Sequence, residues 1–297
     1  MIRNRRRAIT GFGGAPEPPI PGDSFLSTYP GALAAWSLRQ LGDTEVDVIR
    51  VRRSSDNAEE DFNPTEIGDG TLTTWAGTTA YVATWYDQSG NGNNATQSNA
   101  SAQPLIVSGG SVTTDASGQP ALDFVGGGNG FTTPIPVDSF DTTLENPSNF
   151  LIVAKNNSNF EIFVNMEETS VGDVGLTFLN GNSSSGVAMW EDGVQLNHSL
   201  TSSGTWCVQG GFYTDGATYT RYMKSLTNPT ASSRTASKNF TPPASTYFIG
   251  IGAKNGITGS GTSPFEGELL EIIIWQLDMF SQLSDVETDI SEYYIIS

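Results

Sequence analysis

Apolar runs in this chain are short and closely spaced, with Gly, Asn, Ser, Asp or Pro between them. That rhythm predicts strands rather than long helices. Eight are expected in the first two thirds, over Val46 to Arg53, Tyr81 to Tyr86, Leu105 to Val107, Ala121 to Val125, Phe150 to Lys155, Phe160 to Asn165, Gly175 to Leu179 and Val187 to Trp190. Four more are expected over Trp206 to Tyr213, Thr218 to Lys224, Tyr247 to Gly252 and Glu268 to Trp275, with Asp215 and Gly216 as a hairpin turn. Two segments read differently. Leu33, Trp36 and Leu41 stand among helix formers before Gly42, which predicts a short helix over residues 31–41. Near the end, Ser284 and Glu287 form a capping-box pair ahead of Val286, Ile290, Tyr293 and Tyr294 at helical spacing. From Gly11 to Ser24 there is no periodic apolar face, and the prolines favour extended backbone. The chain has no internal repeat and no second shift of composition. It therefore reads as an N-terminal arm, residues 1–27, and one all-β antiparallel sandwich, residues 28–297.

Composition narrows the partners. The 297 residues carry 14 Lys plus Arg against 32 Asp plus Glu, a net charge of −18. Arg3, Arg5, Arg6 and Arg7 hold four of those cations, so everything after Arg7 carries −22. Such a body repels nucleic acid, while the basic arm suits an acidic protein surface, nucleic acid or simple solvation. No apolar stretch is long enough for a membrane helix, and the basic start is not followed by an apolar signal core, so neither membrane insertion nor Sec export is expected. A single cysteine, Cys207, excludes internal disulfides and reads as a buried small apolar residue. His198 is the sole histidine, which removes the partners that a catalytic triad or a histidine-rich zinc site would need.

Three segments occur in order: ALAAWSLRQL at 32–41, IRVRRSSDNAEEDF at 49–62 and TWYDQSGNGNNATQ at 84–97. They resemble the catalytic-domain module of the arabinofuranosidase B family, a concanavalin A-like β-sandwich (jelly roll), and are similar to modules in bacteriophage virion proteins. YFIGIGAKNG at 247–256 and the segment at 265–294 resemble the closing strand and helix of laminin-G-like sandwiches. The resemblance implies a sandwich with a short helix near each end. It also implies two catalytic carboxyl groups, a nucleophile and a proton donor, as retaining glycoside hydrolysis requires. Its nucleophile position falls at Glu191 in MWED, and its acid position falls at Lys254 in GIGAKN. An ammonium of ordinary pKa about 10.4 does not protonate a leaving alkoxide near neutral pH, so no enzymatic activity is expected.

Other features have two readings each. Asp192 beside Glu191 reads as part of a catalytic remnant or as a polar hairpin turn. Trp190, Glu191, Asp192, Lys254 and Asn255 are the candidate carbohydrate contacts. Asp87, Ser89, Asn91 and Asn93 alternate oxygen-bearing side chains through a glycine loop. That loop suits calcium, with Asp87, Asn91 and Asn93 as ligands, or a tight turn with Gly90 and Gly92 at positive φ; the turn is preferred. Trp75, Trp85, Trp190, Trp206 and Trp275 suit a sugar platform or, taken singly and preferentially, the core. The charges of IRVRRSSDNAEED suit a network across a loop or a solvated surface patch. No cofactor is expected.

These readings converge on a non-catalytic bacteriophage virion surface protein, a capsid decoration, head fibre or tail component. Arg3, Arg5, Arg6 and Arg7 would anchor it to a major capsid or tail protein. A host-surface glycan is a second partner, a homo-oligomer such as a trimer the expected state, and assembly in the host cytoplasm the expected route. The alternative is a retaining glycoside hydrolase of arabinofuranosidase type.

Overall fold

The structure is a computed structural model that describes residues 24–115, 117–125, 128–136, 148–156, 161–165, 177–181, 186–191, 194–199, 206–214, 219–225, 228–236, 248–252, 265–277 and 279–294. From 155 to 236 the description is of backbone, apart from Gly210 and Gly211. The chain opens with α1 (Phe25–Thr28), β1 (Ala32–Ser37), β2 (Ile49–Arg53), β3 (Glu59–Phe62), α2 (Pro64–Gly68) and α3 (Thr71–Ala76). It continues through β4 (Thr79–Trp85), β5 (Ala95–Thr96), β6 (Leu105–Ser108), β7 (Ser111–Val112), β8 (Leu122–Phe124), β9 (Phe131–Pro136) and β10 (Ser148–Asn156). Next come β11 (Glu161–Asn165), β12 (Thr177–Gly181), β13 (Gly186–Glu191), β14 (Val194–Ser199), β15 (Trp206–Thr214), β16 (Tyr219–Ser225) and β17 (Asn228–Ala236). It closes with β18 (Phe248–Ile251), β19 (Gly267–Trp275) and α4 (Leu283–Tyr294).

The paired strands run antiparallel and divide into two sheets joined at a corner through β6 and β8. One sheet runs β1-β19-β10-β15-β16-β17. The other runs β3-β2-β4-β5-β9-β18-β11-β12-β13-β14. Period-two alternation shows how they stack. Phe150, Ile152, Ile272 and Ile274 join a core with Ile49, Val51, Val82, Trp85, Phe131 and Ile249 of the facing sheet. Leu151, Val153, Ile273 and Trp275 point the other way, into a second core with Phe25 and Tyr29 around α1 and Val286, Ile290 and Tyr294 of α4. The first sheet is thus buried on both faces at β1, β19 and β10. Among the described residues, the second packs one face on the core and leaves Arg50, Thr84, Thr96 and Thr132 on the other exposed or half-exposed, while Arg52 on that outer face is covered by Asn57, Ala100 and Gln103; we call them the buried sheet and the open sheet. This is the expected antiparallel β-sandwich.

The expected helix over 31–41 is strand β1 instead. Its Ala34 and Trp36 enter one core and its Ala35 the other, so the segment shows no polar face and its alanines imitate a helix former's composition. The N-terminal helix is α1, which places Ser24–Thr28 in the packed body: the Ser24 hydroxyl accepts the Ser27 N–H at 3.3 Å, and Phe25 is buried. The boundary drawn after residue 27 therefore falls inside a helix. At the other end, a 3-10 turn, Phe280–Gln282, runs straight into α4. Ser284 consequently lies inside the helix rather than capping it, although the predicted buried stripe of Val286, Ile290 and Tyr294 is present.

Candidate functional site

The loop that carries the most specific part of the resemblance is a structural brace. Asp87 accepts four hydrogen bonds: Oδ1 from the Ala35 and Ser89 N–H groups, both at 2.9 Å, and Oδ2 from Ser89 Oγ at 2.8 Å and the Asn93 N–H at 2.9 Å. The Asn91 amide donates to the carbonyls of Ala32 and Leu33 at 3.0 Å, and the Asn93 amide to Leu33 at 2.8 Å. Gln88 adds bonds to Ser37, Arg39 and Leu41, while Trp36 Nε1 donates to the Asn93 carbonyl at 3.0 Å. Gly90 and Gly92 supply the left-handed backbone, with φ of 87° and 76°. The motif thus ties the entry strand β1 to the end of β4. Asp87, Asn91 and Asn93, the calcium candidates, come together as the tight turn whose donors and acceptors serve the chain itself. Among the described residues, no group of three or more His, Cys, Asp and Glu could hold a metal. An open cleft of about 410 Å³ lies beside this brace, lined by Leu26, Pro30, Leu33, Ser89, Asn91 and Gln276 among others.

The charged segment at 49–62 resolves into separate pairs. Arg50 grips Asp61 through two bonds of 2.8 and 2.7 Å, and Tyr86 donates to the same carboxylate at 2.7 Å. The Arg50 contact holds the Asp61 carboxyl below its ordinary pKa, against the opposing effect of partial burial. Burial and the bond to Asp61 push the Tyr86 phenol up to about 12. Arg53 pairs with Asp56, which drops to about 2 because of that contact and the Ala58 N–H. Arg52 is different: it is buried, and its bonds run to neutral acceptors, Gln103 Oε1 at 2.6 Å, Asn57 Oδ1 at 2.9 Å and the Ala100 carbonyl at 3.1 Å.

Of the sequence-predicted sugar contacts, Trp190 and Glu191 are described, at adjacent backbone positions of β13. Glu191 ends β13, paired with Val194 of β14. Asp192, Lys254 and Asn255 lie outside the described residues, as do Arg3, Arg5, Arg6 and Arg7 and the predicted turn at Asp215 and Gly216. His198 and Cys207 occupy register positions in β14 and β15, opposite Val187 and Val153. Trp85 and Trp275 are core residues, and Trp75 packs edge-on to Phe62 with centroids 5.3 Å apart.

What sequence reading missed is a row on the open sheet. Trp85 pairs with Ala95 in the core, so the neighbouring pair Thr84 and Thr96 faces outward. Thr96 pairs with Thr132, Thr132 with Gly250, and on the other flank Thr84 pairs with Arg50 and Arg50 with Asp61. By backbone register the row continues through Asn165, Thr177, Trp190 and Gln195. Two residues from Gly250 along β18, Phe248 is 43% exposed. The sequence signal was available locally, as a threonine beside each of three core residues. The alignment of those threonines across strands required the register.

Comparison with family models and with curated proteins returns no match. Among solved structures, the chain is similar to the CBM40 domain of the Ruminococcus gnavus IT-sialidase bound to α2,3-sialyllactose, at 13% identity and a TM-score of 0.40, covering 56% of this chain and 95% of that one. It is also similar to the Trypanosoma rangeli sialidase in complex with sialic acid, at 10% identity and a TM-score of 0.42, covering 67% of this chain and 30% of that one. A third likeness is to the NanB sialidase of Streptococcus pneumoniae, at 12% identity and a TM-score of 0.37, covering 52% of this chain and 26% of that one.

Proposed function

We propose that this chain is a non-catalytic surface protein of a bacteriophage virion, docked by its N-terminal arm and displaying the open sheet. The observation that carries this reading is the order of layers. The root of the arm, α1, packs on the outer face of the buried sheet, and the face of the open sheet that carries Thr84, Thr96 and Thr132 lies on the opposite side of the sandwich. Anchoring at the arm therefore presents that face away from the anchor. Four arginines within the first seven residues, ahead of a body of net charge −22, suit an arm that seeks an acidic protein surface.

Three features support a scaffold without catalysis. Lys254 stands where the resemblance places an acid. Asp87, in the most specific motif, is consumed by four structural hydrogen bonds. Glu191 ends a strand, paired with Val194. Within the virion, the chain's place is the capsid surface or a head fibre rather than the tail. A symmetric homo-oligomer, such as a trimer, would let the arms share a platform on the capsid or tail protein. Assembly takes place in the host cytoplasm, and the displayed face meets a host-surface glycan.

Deleting residues 1–23 is expected to leave a folded sandwich that no longer joins particles, read by the protein content of purified virions. Incorporation at the full-length level would overturn the docking reading. Turnover of aryl arabinofuranosides, abolished by Glu191→Gln, would replace it with the hydrolase.

A further inference from the structure

We propose that the threonine row of the open sheet binds an extended, uncharged glycan laid across the strands, with Phe248 as its stacking residue. The inference rests on the proposed display of this face and adds its ligand class. Three properties of the face carry it.

Its first property is chemistry. Thr84, Thr96 and Thr132 stand in consecutive cross-strand register, Thr96 is exposed and the other two partly so, and each hydroxyl can both donate and accept. Phe248, exposed on the same face of β18, offers an apolar ring beside them. Hydroxyls next to an aromatic face match a sugar ring, which has polar edges and C–H faces.

Charge is the second. The row's charged members, Arg50 and Asp61, neutralise each other through a two-point contact, and no other Asp, Glu, Lys or Arg occupies the row. A neutral strip on a body of charge −22 suits an uncharged ligand, because long-range repulsion opposes sialylated or uronic-acid chains. The same repulsion opposes face-to-face pairing of two copies.

The third is length. From β4 through β5, β9, β18, β11 and β12 to β13 the row crosses seven strands. At strand spacings near 4.8 Å that is about 29 Å, the reach of several linked sugar rings rather than one. Trp190, one of the residues singled out from the sequence, occupies the register position at the far end of this span.

The test uses the full-length chain on an array holding uncharged polysaccharides alongside sialylated and uronic-acid glycans. Calorimetric titration with oligosaccharides of increasing length then follows for the polysaccharide retained. Expected are retention of an uncharged glycan, an affinity that climbs over several sugar units, and little dependence on salt. Phe248→Ala should weaken binding about tenfold, and the double variant Thr96→Glu, Thr132→Glu more than tenfold. Both alter exposed or half-exposed positions, and an unchanged melting temperature confirms that their folds persist. Preference for an anionic glycan, saturation at a monosaccharide, unchanged affinity in the double variant, or self-association through this face would each overturn the inference. Failure to retain any glycan also overturns it. If arm deletion still abolishes incorporation, the docking reading survives that failure.

Discussion

Asp87 does more for this fold than a surface aspartate normally could, because each oxygen of its carboxylate receives two donors from segments otherwise free to part. Asp87→Ala strands the Ala35 and Asn93 N–H groups together, and we expect a loss of about 2–4 kcal/mol in urea unfolding. Gly252 matters for a steric reason. It sits at φ +80°, and a Cβ there would overlap the Phe124 ring and lie 3.2 Å from the Asn129 carbonyl. Gly252→Ala is expected to destabilise by about 1–3 kcal/mol, measured the same way, through overpacking and left-handed strain together. Both residues were visible in the sequence as parts of motifs, YDQSGNGN and GIGAKN. Their partners were not: Asp87 reaches back 52 residues to Ala35, a separation that local periodicity does not encode.

Strand β19 shows how an element records its surroundings. A bulge at Leu270 lets Leu270 and Glu271 face the same way, so an acid enters the layer beneath α4. There Glu271 accepts from Ser37 at 2.8 Å, from Arg39 at 2.7 and 3.0 Å, and from Tyr294 at 3.0 Å. The Arg39 guanidinium also lies 4.9 Å from the centre of Phe25 and 4.4 Å from that of Tyr293, bringing both helices onto one charge. Burial alone would weaken Arg39's hold on its proton, but the adjacent carboxylate outweighs it and the pKa rises. Glu271→Ala leaves that cation buried and unpaired, with an expected cost of about 3–5 kcal/mol. Arg39→Met combined with Glu271→Met should cost markedly less than the single change, and a double-mutant cycle reads the difference. The strand itself was legible because its apolar run has no rival reading. Strand β1 was mistaken for a helix because a strand enclosed on both faces loses the alternation that identifies strands.

An acidic molecule with carboxylates held by arginines should be sensitive to acid. Asp56 titrates near 2, and Asp61 is also held below its ordinary value. A lowered native pKa means that the unfolded chain binds protons more readily, so the contribution to stability is complete above the unfolded value of 3.8 and disappears as pH falls through the native value. Thermal melts between pH 5 and about 2 are therefore expected to show a falling Tm, with a shallower fall in Asp61→Asn. Hydropathy and turn residues were enough to establish an antiparallel sandwich with an apolar-striped terminal helix, because burying alternate side chains between two sheets leaves a period-two trace in any sequence. The brace loop could be recognised as a motif by the same means. Only the tertiary structure decided which sheet is enclosed, that the arm's root and the open face lie on opposite sides, and that three threonines from separate strands stand in line. Those facts depend on register and layer order, set by contacts between residues far apart in the chain, and no local pattern of side chains carries them.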